Sequence, residues 1–493
     1  RVLSVAKIGL GSVSDNDEAE APIAAIQPQV SWTIAGESTL VDQWRIDHPG
    51  QLALLVDGTL SVNAPEASVI ALATATDALI IDTALISAQQ DQALAKLLNE
   101  DGLILHDLKG CIHALGARGW TLASARTDLL LAAYLVNSEH RGYQLDQLFA
   151  RYLGVDPQEK KDSTTLFEVG ISDERAQKLA EDAARMHPLD VILADKLKES
   201  DQSHLLDDVE MPVAVVLAEM EKCGIGVDED FLTALSHELA SDVDTAQRGA
   251  WDVLGHEVNL SSPKQLQTVL FEELALPKTK KTKTGYTTNA EALTELFEKT
   301  GNDFLRHLLV HRDRIKLKQM VDGLISSVGV DQRIHTTFSQ TAAATGRLAS
   351  SEPNLQNIPA RSADGLRIRG GFVAQEPYTN LMSADYSQIE MRIMAHMSQD
   401  PGLIDAFSSG EDLHRTMAAM VFGVEPEDVT AEERSRIKAT SYGLAYGLSA
   451  YGLSAQLQIP VHEAAALRDR YFERFGGVHD YLEGLVDEAR RWG

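Results

Sequence analysis

The stretch TAEERSRIKATSYGLAYGLS, residues 430–449, decides the fold that the sequence predicts. Thr430 followed three residues later by Glu433 is typical of a helix that begins with a capping box. The pattern therefore predicts one helix over 430–449. An α-helix turns about 100° per residue, so side chains at steps of four share one slowly rotating face. Four residues take these steps: Arg434, Lys438, Tyr442 and Tyr446.

Two cations followed by two aromatic rings suit a ligand with a polyanionic tail and a flat head, which describes a nucleoside triphosphate. Arg grips phosphate oxygens in a fork, Lys acts as a point charge beside it, and a Tyr ring offers a face to a base or sugar. The alternative is an ordinary amphipathic helix with some aromatic residues in the core. Spacing alone favours that alternative slightly.

The motif R-x-x-x-K-x-x-x-Y-G-x-x-Y-G, which begins at Arg434, resembles the fingers helix of family A DNA polymerases, the bacterial DNA polymerase I type. The resemblance implies that Arg434 and Lys438 hold the triphosphate of the nucleotide, with Lys438 also acting in catalysis. Many members carry Phe where this chain has Tyr442, whose hydroxyl is expected to favour dideoxynucleotides. Tyr446 is expected to act in sugar selection together with Glu390.

Length and composition predict a globular chain of several domains. At 493 residues it is too long for one ordinary core, and its apolar fraction is normal. No apolar run approaches the ~20 residues that span a bilayer, and two cysteines imply no disulfide framework, which fits a reducing cytosol. The start has neither a secretory signal nor a Met, so we expect the sequence to begin inside a longer protein.

The formal net charge of −29 argues against nucleic-acid binding, because such proteins usually present a basic surface. Local patches decide binding, however, and acidic residues dominate the first two hundred positions. Basic residues gather later, around 278–283, 306–318 and 347–369. A nucleic-acid partner is therefore compatible with the total charge.

The resemblance implies an α/β multidomain protein with an RNase H-like 3′–5′ exonuclease-type domain, followed by a right-hand polymerase of thumb, palm and fingers, mostly helical outside the sheets. The expected divisions are an irregular linker over 1–45, the exonuclease-like domain over 46–204, thumb and connecting helices over 205–334, the first part of the palm over 335–400 and incomplete fingers over 401–493. Short apolar runs predict buried strands of a mixed sheet at 51–56, 68–74, 78–82 and 103–106, with a helix over 89–99.

In the family, 3′–5′ cleavage needs several carboxylates that converge on two divalent metals. The positions that match are Asp57, Thr59, Cys111 and Pro188. Since one expected carboxylate remains, we expect this domain to keep the fold and lack the activity. The alternative is a relocated site of Asp107, Asp128 and Asp190, for which solvated or helix-capping carboxylates are the simpler interpretation.

The basic, turn-rich segment 277–288 follows helices predicted over 211–228 and 259–270 and resembles the tip of the family's thumb, which lies along the duplex minor groove. Its lysines are expected to contact the DNA backbone without reading sequence. They are Lys278, Lys280, Lys281 and Lys283. The alternative is a solvated loop, which is the usual outcome for a lone run of charge.

TAAATGRLASSEPNLQNIPAR, residues 341–361, is rich in Gly, Asn and Pro and predicts mostly turn. It resembles the family's T-G-R-L-S-S-x-x-P-N-L-Q-N-I-P. By that resemblance the contacts to the primer–template come from Arg347, Asn354, Gln356, Asn357 and Arg361. Minor-groove acceptors are present on every base pair, so such contacts check the shape of a pair without reading sequence. A structural Asn/Gln turn is the alternative, mainly for Asn357.

The segment NLMSADYSQIEMRIMAHMS, residues 380–398, predicts a buried strand that turns into a helix. DYSQIE resembles the family's first polymerase motif, in which the Asp, here Asp385, bridges two Mg²⁺ ions and the next carbonyl, here that of Tyr386, binds one of them. Gln388 and Glu390 are expected at the nucleotide, where Glu390 blocks a ribose 2′-hydroxyl. A strand-end Asp in an average protein is more often a cap.

GEDLHRTMAAMVFG, residues 410–423, predicts another helix. By resemblance His414 touches the triphosphate, and the alternative is an ordinary surface histidine.

Phosphoryl transfer by two metals needs a second carboxylate, which the family supplies in a V-H-D-E hairpin well over a hundred residues after the fingers helix. Val478-His479-Asp480-Tyr481 lies too early, lacks the Glu and falls in a helical run. We therefore expect the sequence to stop before this last palm motif and to have no extension activity by itself.

The expected function is a DNA-templated DNA polymerase for replication and repair, with primer–template DNA and deoxynucleoside triphosphates as partners. We expect it to act as a monomer in the bacterial cytoplasm, associated with the nucleoid. One alternative is a single-subunit RNA polymerase, against which Glu390 argues. The other is a primer–template binding scaffold without catalysis.

Overall fold

The computed structural model describes residues 29–36, 39–100, 102–122, 125–140, 142–155, 170–282, 285–360, 362–408, 412–457 and 459–492. These residues belong to two compact units, divided between Leu381 and Met382. None of the described helices is long and apolar enough to cross a membrane.

A six-stranded mixed sheet opens the first unit. Its strands are β1 (Ser31–Ile34), β2 (Ala53–Thr59), β3 (Glu66–Ala73), β4 (Asp77–Asp82), β5 (Ile104–Leu105) and β6 (Thr127–Asp128). They lie in the order β1-β4-β3-β2-β5-β6, with β3 antiparallel to both of its neighbours and the other pairs parallel. The four predicted strands and the mixed sheet are confirmed.

Helices cover both faces of this sheet. They are α1 (Val41–Asp47), α2 (Ala88–Leu97), α3 (Leu108–Gly116), α4 (Leu129–Val136), α5 (Leu145–Leu153) and α6 (Asp173–Glu199). Along β4, Leu79 and Ile81 join the apolar cluster with α1, α2 and α3, while Ile80 joins the cluster with α6. Because both faces are buried, β3 and β4 are apolar almost throughout and do not alternate.

The prediction of an irregular start over 1–45 is wrong for its described part. β1 pairs in parallel with β4, in the register Ser31 opposite Asp77, and α1 buries Val41 and Trp44. β1 lies at the edge of the sheet and is mostly exposed, so its sequence lacks the apolar run that marks the inner strands. Residues 1–28 lie outside the described part of the chain.

The middle of the first unit is helical, as predicted. Its helices are α7 (Ser203–Leu205), which continues through a π-helical turn into α8 (Met211–Cys223), then α9 (Glu229–Leu254), α10 (Pro263–Thr268), α11 (Ala290–Thr300) and α12 (Asp303–Ser326). The long helices α9 and α12 bury Leu235, Leu239 and Val321 against each other. The basic segment forms a small hairpin of β8 (Lys281–Thr282) and β9 (Gly285–Tyr286), while β7 (Ile225–Gly226) pairs with a later strand.

The first unit ends in short elements joined by turns. They are β10 (Arg333–Ile334), β11 (Thr337–Ser339), β12 (Ala349–Ser351), a 3₁₀ turn (Leu355–Asn357) and α13 (Ala363–Arg369). β11 and β12 are antiparallel, and residues 340–348 form the loop between them. The prediction of mostly turn over 341–361 is confirmed for the described residues.

The second unit consists of helices over its described ranges, 382–408, 412–457 and 459–492. They are α14 (Ile389–Ser398), α15 (Pro401–Ser408), α16 (Leu413–Phe422), α17 (Ala431–Ala445), α18 (Ala450–Leu457), α19 (Val461–Arg474) and α20 (Gly476–Trp492). One apolar core includes Met391, Met417, Ile437, Tyr471 and Phe475.

The buried strand predicted before Asp385 is wrong. Residues 381–386 carry no strand, and their side chains are exposed. A strand needs a partner for its backbone hydrogen bonds, and the described residues offer this segment none. The following helix begins at Ile389, as the second half of the prediction requires.

Candidate functional site

The start predicted for the helix at Thr430 is confirmed. The Thr430 hydroxyl accepts a hydrogen bond from the Glu433 amide at 3.2 Å, and the Glu433 carboxylate accepts one from the Thr430 amide at 2.9 Å. This capping box satisfies an amide of the first helical turn and fixes where α17 begins.

The end predicted for this helix is wrong. α17 stops at Ala445, because Gly447 adopts a left-handed φ of +74°. The Leu448 amide then donates to the Gly443 carbonyl at 2.9 Å, which closes the helix end. Tyr446 therefore occupies the non-helical cap position and is 52% exposed.

Arg434 is bound by a carboxylate that is absent from the sequence-based predictions. Its Nε and Nη2 donate to Oδ2 of Asp412 at 3.0 and 2.7 Å. The hydrogen bond from Arg434 lowers the pKa of Asp412, which also caps α16 by accepting from the Arg415 amide. An acidic residue directly before an apolar helix signals the cap, but its contact with α17 depends on tertiary packing.

His414 lies on α16 beside the same face. It is 1% exposed, and neither ring nitrogen has a hydrogen-bond partner among the described residues. Burial, followed by the positive charges of Lys438 and Arg434, lowers the pKa of His414 to about 4. Its ring centroid lies 5.9 Å from that of Tyr442. At neutral pH this imidazole is uncharged, with one donor and one acceptor unused, so the alternative of a surface histidine is wrong.

The first polymerase motif lies near the aromatic end of this face. Burial raises the pKa of Tyr442, and the charges of Glu390 and Asp385 raise it further. Tyr446 contributes to the same shift. Met391 of α14 and Leu444 of α17 lie in one apolar core, so the helix that follows the motif packs near the aromatic end of the α17 face.

Gln388 and Tyr386 hold less buried positions. Gln388 precedes α14 with a left-handed φ of +56°, and its carbonyl accepts from the Arg392 amide. Tyr386 is 81% exposed. Asp385 is exposed too, so its oxygens are accessible.

Hard oxygen donors of this kind are the ligands that Mg²⁺ prefers. The Asp385 carboxylate and the Tyr386 carbonyl therefore fit part of a magnesium site. Among the described residues no group of three or more His, Cys, Asp or Glu is arranged to hold a metal ion. The described chain thus offers a partial set of ligands.

A sequence model of DNA polymerase family A matches residues 229–493, which is more than half of the chain. The chain belongs to DNA polymerase family A.

Relatives and a solved structure agree with this membership. The DNA polymerase I of Mycobacterium tuberculosis is 49% identical over 463 residues, which cover 92% of this chain and 51% of the relative. That of Geobacillus stearothermophilus is 39% identical over 399 residues, covering 79% and 45%. The POL domain of Pol1 from M. smegmatis, in complex with DNA primer-template and dNTP, is 48% identical with a TM-score of 0.84, covering 94% of this chain and 79% of that one. The chain spans about half the length of the curated relatives it matches.

In this family A chain, the predicted primer–template residues lie in the first unit. Arg347, Asn354, Gln356 and Asn357 are exposed. Asn354 accepts from the Gln356 amide, and the Gln356 side chain donates to the Leu348 carbonyl at 3.1 Å. The local turn therefore orients both amide side chains. Arg361 lies outside the described residues.

The predicted lysines of the family A thumb tip lie on or beside the β8–β9 hairpin. Lys278, Lys280 and Lys281 are exposed, and the Lys278 ammonium lies 5.1 Å from the centre of the Tyr286 ring. Lys283 lies outside the described residues. A basic patch is therefore accessible on an otherwise acidic chain.

The four residues predicted to occupy degenerate exonuclease positions lie in structural surroundings. Asp57 accepts from Nε of Arg175 at 3.0 Å, and Thr59 is exposed at the end of β2. Cys111 lies on α3, is 1% exposed and faces the apolar core, and burial raises the pKa of its thiol. Pro188 lies inside α6.

The carboxylates of the alternative site are also engaged. Asp107 caps α3 through the Gly110 amide, and Asp128 caps α4 through the Leu130 amide. Asp190 lies 3.6 Å from the Arg126 guanidinium. Capping is therefore confirmed for Asp107 and Asp128, whereas a solvated state is wrong for Asp128 and Asp190, which are buried.

Proposed function

We propose that the chain provides the nucleotide-gripping and primer–template-binding parts of a DNA-templated DNA polymerase, which adds deoxynucleoside triphosphates to a primer 3′ end in replication and repair. The observation that carries this proposal is His414, which is buried near the charges of Lys438 and Arg434 and whose two ring nitrogens have no hydrogen-bond partner among the described residues. Buried polar groups are rarely left without partners, so this ring, with two cations near it, suits an anionic ligand. The M. smegmatis relative, solved with primer-template and dNTP, supports the proposal.

The triphosphate is proposed to bind along the first half of the α17 face. The Arg434 guanidinium exchanges its hydrogen bonds to Asp412 for hydrogen bonds to phosphate oxygens. Lys438 supplies a positive charge beside the reacting phosphate, and neutral His414 donates one N–H. Lys438 is thereby also placed to neutralise charge that develops on the leaving pyrophosphate.

Two Mg²⁺ ions, when bound, activate the primer 3′-hydroxyl and stabilise the leaving pyrophosphate. The residues proposed to hold them are Asp385 and, through its carbonyl, Tyr386. The exposure of both residues supports this assignment.

Selection of the sugar is proposed for the aromatic end of the face. Glu390 blocks a ribose 2′-hydroxyl with Tyr446 as its partner, Gln388 contacts the nucleotide, and the Tyr442 hydroxyl occupies the space of a missing 3′-hydroxyl. The raised pKa of Tyr442 supports this role, because the hydroxyl keeps its proton at neutral pH.

The duplex is proposed to be held by two groups of residues in the first unit. Arg347, Asn354, Gln356, Asn357 and Arg361 contact the primer–template near its growing end. Lys278, Lys280, Lys281 and Lys283 contact its backbone further away. The exposure of the described members supports both groups.

The divisions proposed for the chain follow these roles: an exonuclease-like region over 46–204 without cleavage activity, thumb over 205–334, palm over 335–400 and fingers over 401–493. The pairing of Asp57 with Arg175 and the burial of Cys111 support the loss of cleavage. The protein is proposed to work as a monomer on DNA in the bacterial cytoplasm.

The test measures primer extension with Mg²⁺ by the natural protein and compares deoxynucleotides with ribonucleotides. We expect extension with deoxynucleotides and little with ribonucleotides. Equal use of both would favour the RNA polymerase alternative. The 1–493 chain is tested beside it for primer–template binding by fluorescence anisotropy, where absence of binding would refute the proposal for this chain.

A further inference from the structure

Tyr134, on α4 beside the sheet, makes two hydrogen bonds with a distant loop. Its hydroxyl donates to the Ala343 carbonyl at 2.7 Å and accepts from the Gly346 amide at 3.0 Å. Both partners belong to the loop between β11 and β12, and Gly346 directly precedes Arg347. The bonds join residues more than 200 positions apart in the sequence.

The ring of Tyr134 is fixed while its hydroxyl reaches out of the core. The residue is 2% exposed, and its ring packs edge-on against Tyr143 with centroids 5.9 Å apart. Burial raises the pKa of Tyr134, so its hydroxyl remains a donor at neutral pH. Phe at this position would fill the same space, so the hydroxyl serves the loop and not the packing.

The same segment is held at its beginning by other contacts. The buried carboxylate of Glu221 on α8 accepts from the Phe338 amide, and Lys109 and His113 of α3 bind that carboxylate at 2.7 and 2.6 Å. Gln340 donates to Glu210 at 2.7 Å. These contacts hold β11 and the first loop residue, whereas Tyr134 holds the far side of the loop.

The loop holds its own shape weakly: the Gly346 amide donates to the Ala343 carbonyl across the turn at a long 3.3 Å. Its tip reads Thr341-Ala-Ala-Ala-Thr-Gly346, with small side chains and a glycine at a left-handed φ of +79°. Ordering each such residue costs about 1–2 kcal/mol of backbone entropy. Two hydrogen bonds to one rigid hydroxyl limit the loop before any ligand arrives.

We propose that Tyr134 is a positioning residue for primer–template binding: it holds the β11–β12 loop in the shape that presents Arg347 to the duplex. This rests on the proposed function, in which Arg347 contacts the primer–template. It gives the sheet-bearing region a role in polymerisation that requires no cleavage activity of its own.

The test uses Tyr134→Phe and a matched control, Tyr143→Phe, in the 1–493 chain. Tyr143 is also buried beside α4, and its hydroxyl donates to the Asn137 carbonyl at 2.7 Å, away from the loop. We expect Tyr134→Phe to raise the primer–template Kd about fivefold in fluorescence anisotropy and to speed amide hydrogen exchange at Gly346. Tyr143→Phe is expected to do neither.

A double-mutant cycle separates positioning from a general loss of stability. If Tyr134 acts through Arg347, then Tyr134→Phe has little further effect on Kd in an Arg347→Ala background. A full fivefold effect there would overturn the inference, as would equal Kd values for Tyr134→Phe and wild type. If wild type binds no primer–template, the proposed function fails and this inference fails with it. The exchange rate at Gly346 reports on the loop contact in either case.

Discussion

The sheet-bearing region and the α17 face both carry residues that the resemblance matches to phosphoryl-transfer sites of the family, but the two sets have different surroundings. In the first, Asp57 is bound by Arg175, and Asp107 and Asp128 cap helices. In the second, His414 is buried with no hydrogen-bond partner in the part of the chain that the structure describes, and Asp385 is exposed. Asp190 Oδ1 in the first region also lacks a hydrogen-bond partner among the described residues, but Asp190 lies 3.6 Å from the Arg126 guanidinium, whereas His414 lacks a described partner at both ring nitrogens.

The largest effect that tests this contrast is expected from the two aspartates. In the natural protein, Asp385→Asn should lower primer extension about a thousandfold, because it removes a carboxylate proposed to hold both metal ions. Asp57→Asn should leave extension unchanged, because its only described role is a half-exposed pair with Arg175. Extension rates with Mg²⁺ and deoxynucleotides measure both.

A second measurement on the Asp57→Asn variant tests cleavage of the primer 3′ end. Neither wild type nor Asp57→Asn should digest a mismatched primer 3′ end. Digestion by wild type that disappeared in Asp57→Asn would show that the sheet-bearing region still holds an active site.

A smaller effect is expected within the α17 face. Tyr442→Phe should lower the use of dideoxynucleotides about tenfold relative to deoxynucleotides, because the proposed substitute for the 3′-hydroxyl is lost. Tyr451→Phe is the control, since Tyr451 is 75% exposed on α18. Competition between the two nucleotide types on one primer measures the ratio. An unchanged ratio in Tyr442→Phe would remove this hydroxyl from sugar recognition.

The smallest effect concerns stability against acid. The folded pKa of His414, about 4, lies below the ordinary 6.5, so as the pH falls below 6.5 the unfolded chain takes up a proton that the folded chain does not. The stability is complete above pH 6.5 and falls as the pH drops towards 4. We expect His414→Gln to remove about 1 kcal/mol of the loss between pH 6.5 and 5.5.

Amide hydrogen exchange of α16 at the two pH values, corrected for intrinsic rates, measures this loss. The groups that face His414 are Lys438, Arg434, Asp412 and Tyr442. His462→Gln, at an exposed position on α19, is the control and should retain the wild-type loss. An equal pH dependence in His414→Gln and wild type would contradict the assignment.

Local signals in the sequence predicted where elements begin. The capping box at Thr430, the strands of the mixed sheet and the turns over 341–361 follow from nearest-neighbour chemistry, and the structure contains them. Features that depend on distant partners were not predictable. The strand expected before Asp385 has no described partner, and the early strand β1 exists only because β4 pairs with it.

The site shows the same division. The spacing of Arg434, Lys438 and Tyr442 predicted their shared face, but α17 ends at Ala445 before the left-handed Gly447, so Tyr446 lies outside the helix. The ion pair between Arg434 and Asp412 joins two helices, and the spacing of residues along the sequence did not predict it. The motif marked His414 as a candidate contact for the triphosphate. Its burial depends on the packing of α16 against α17, which the motif does not reveal.

The position of Cys111 has a consequence for evolutionary reversibility. A carboxylate at this position would lie in an apolar core, where an unpaired charge costs several kcal/mol. A lineage that carried this chain and regained an acidic residue there would lose stability before it gained any cleavage, because Asp57 would still be bound by Arg175. If this region has lost a metal site, as we propose, single substitutions offer no path back to it, and selection on the region is left to act on what it does for the rest of the molecule.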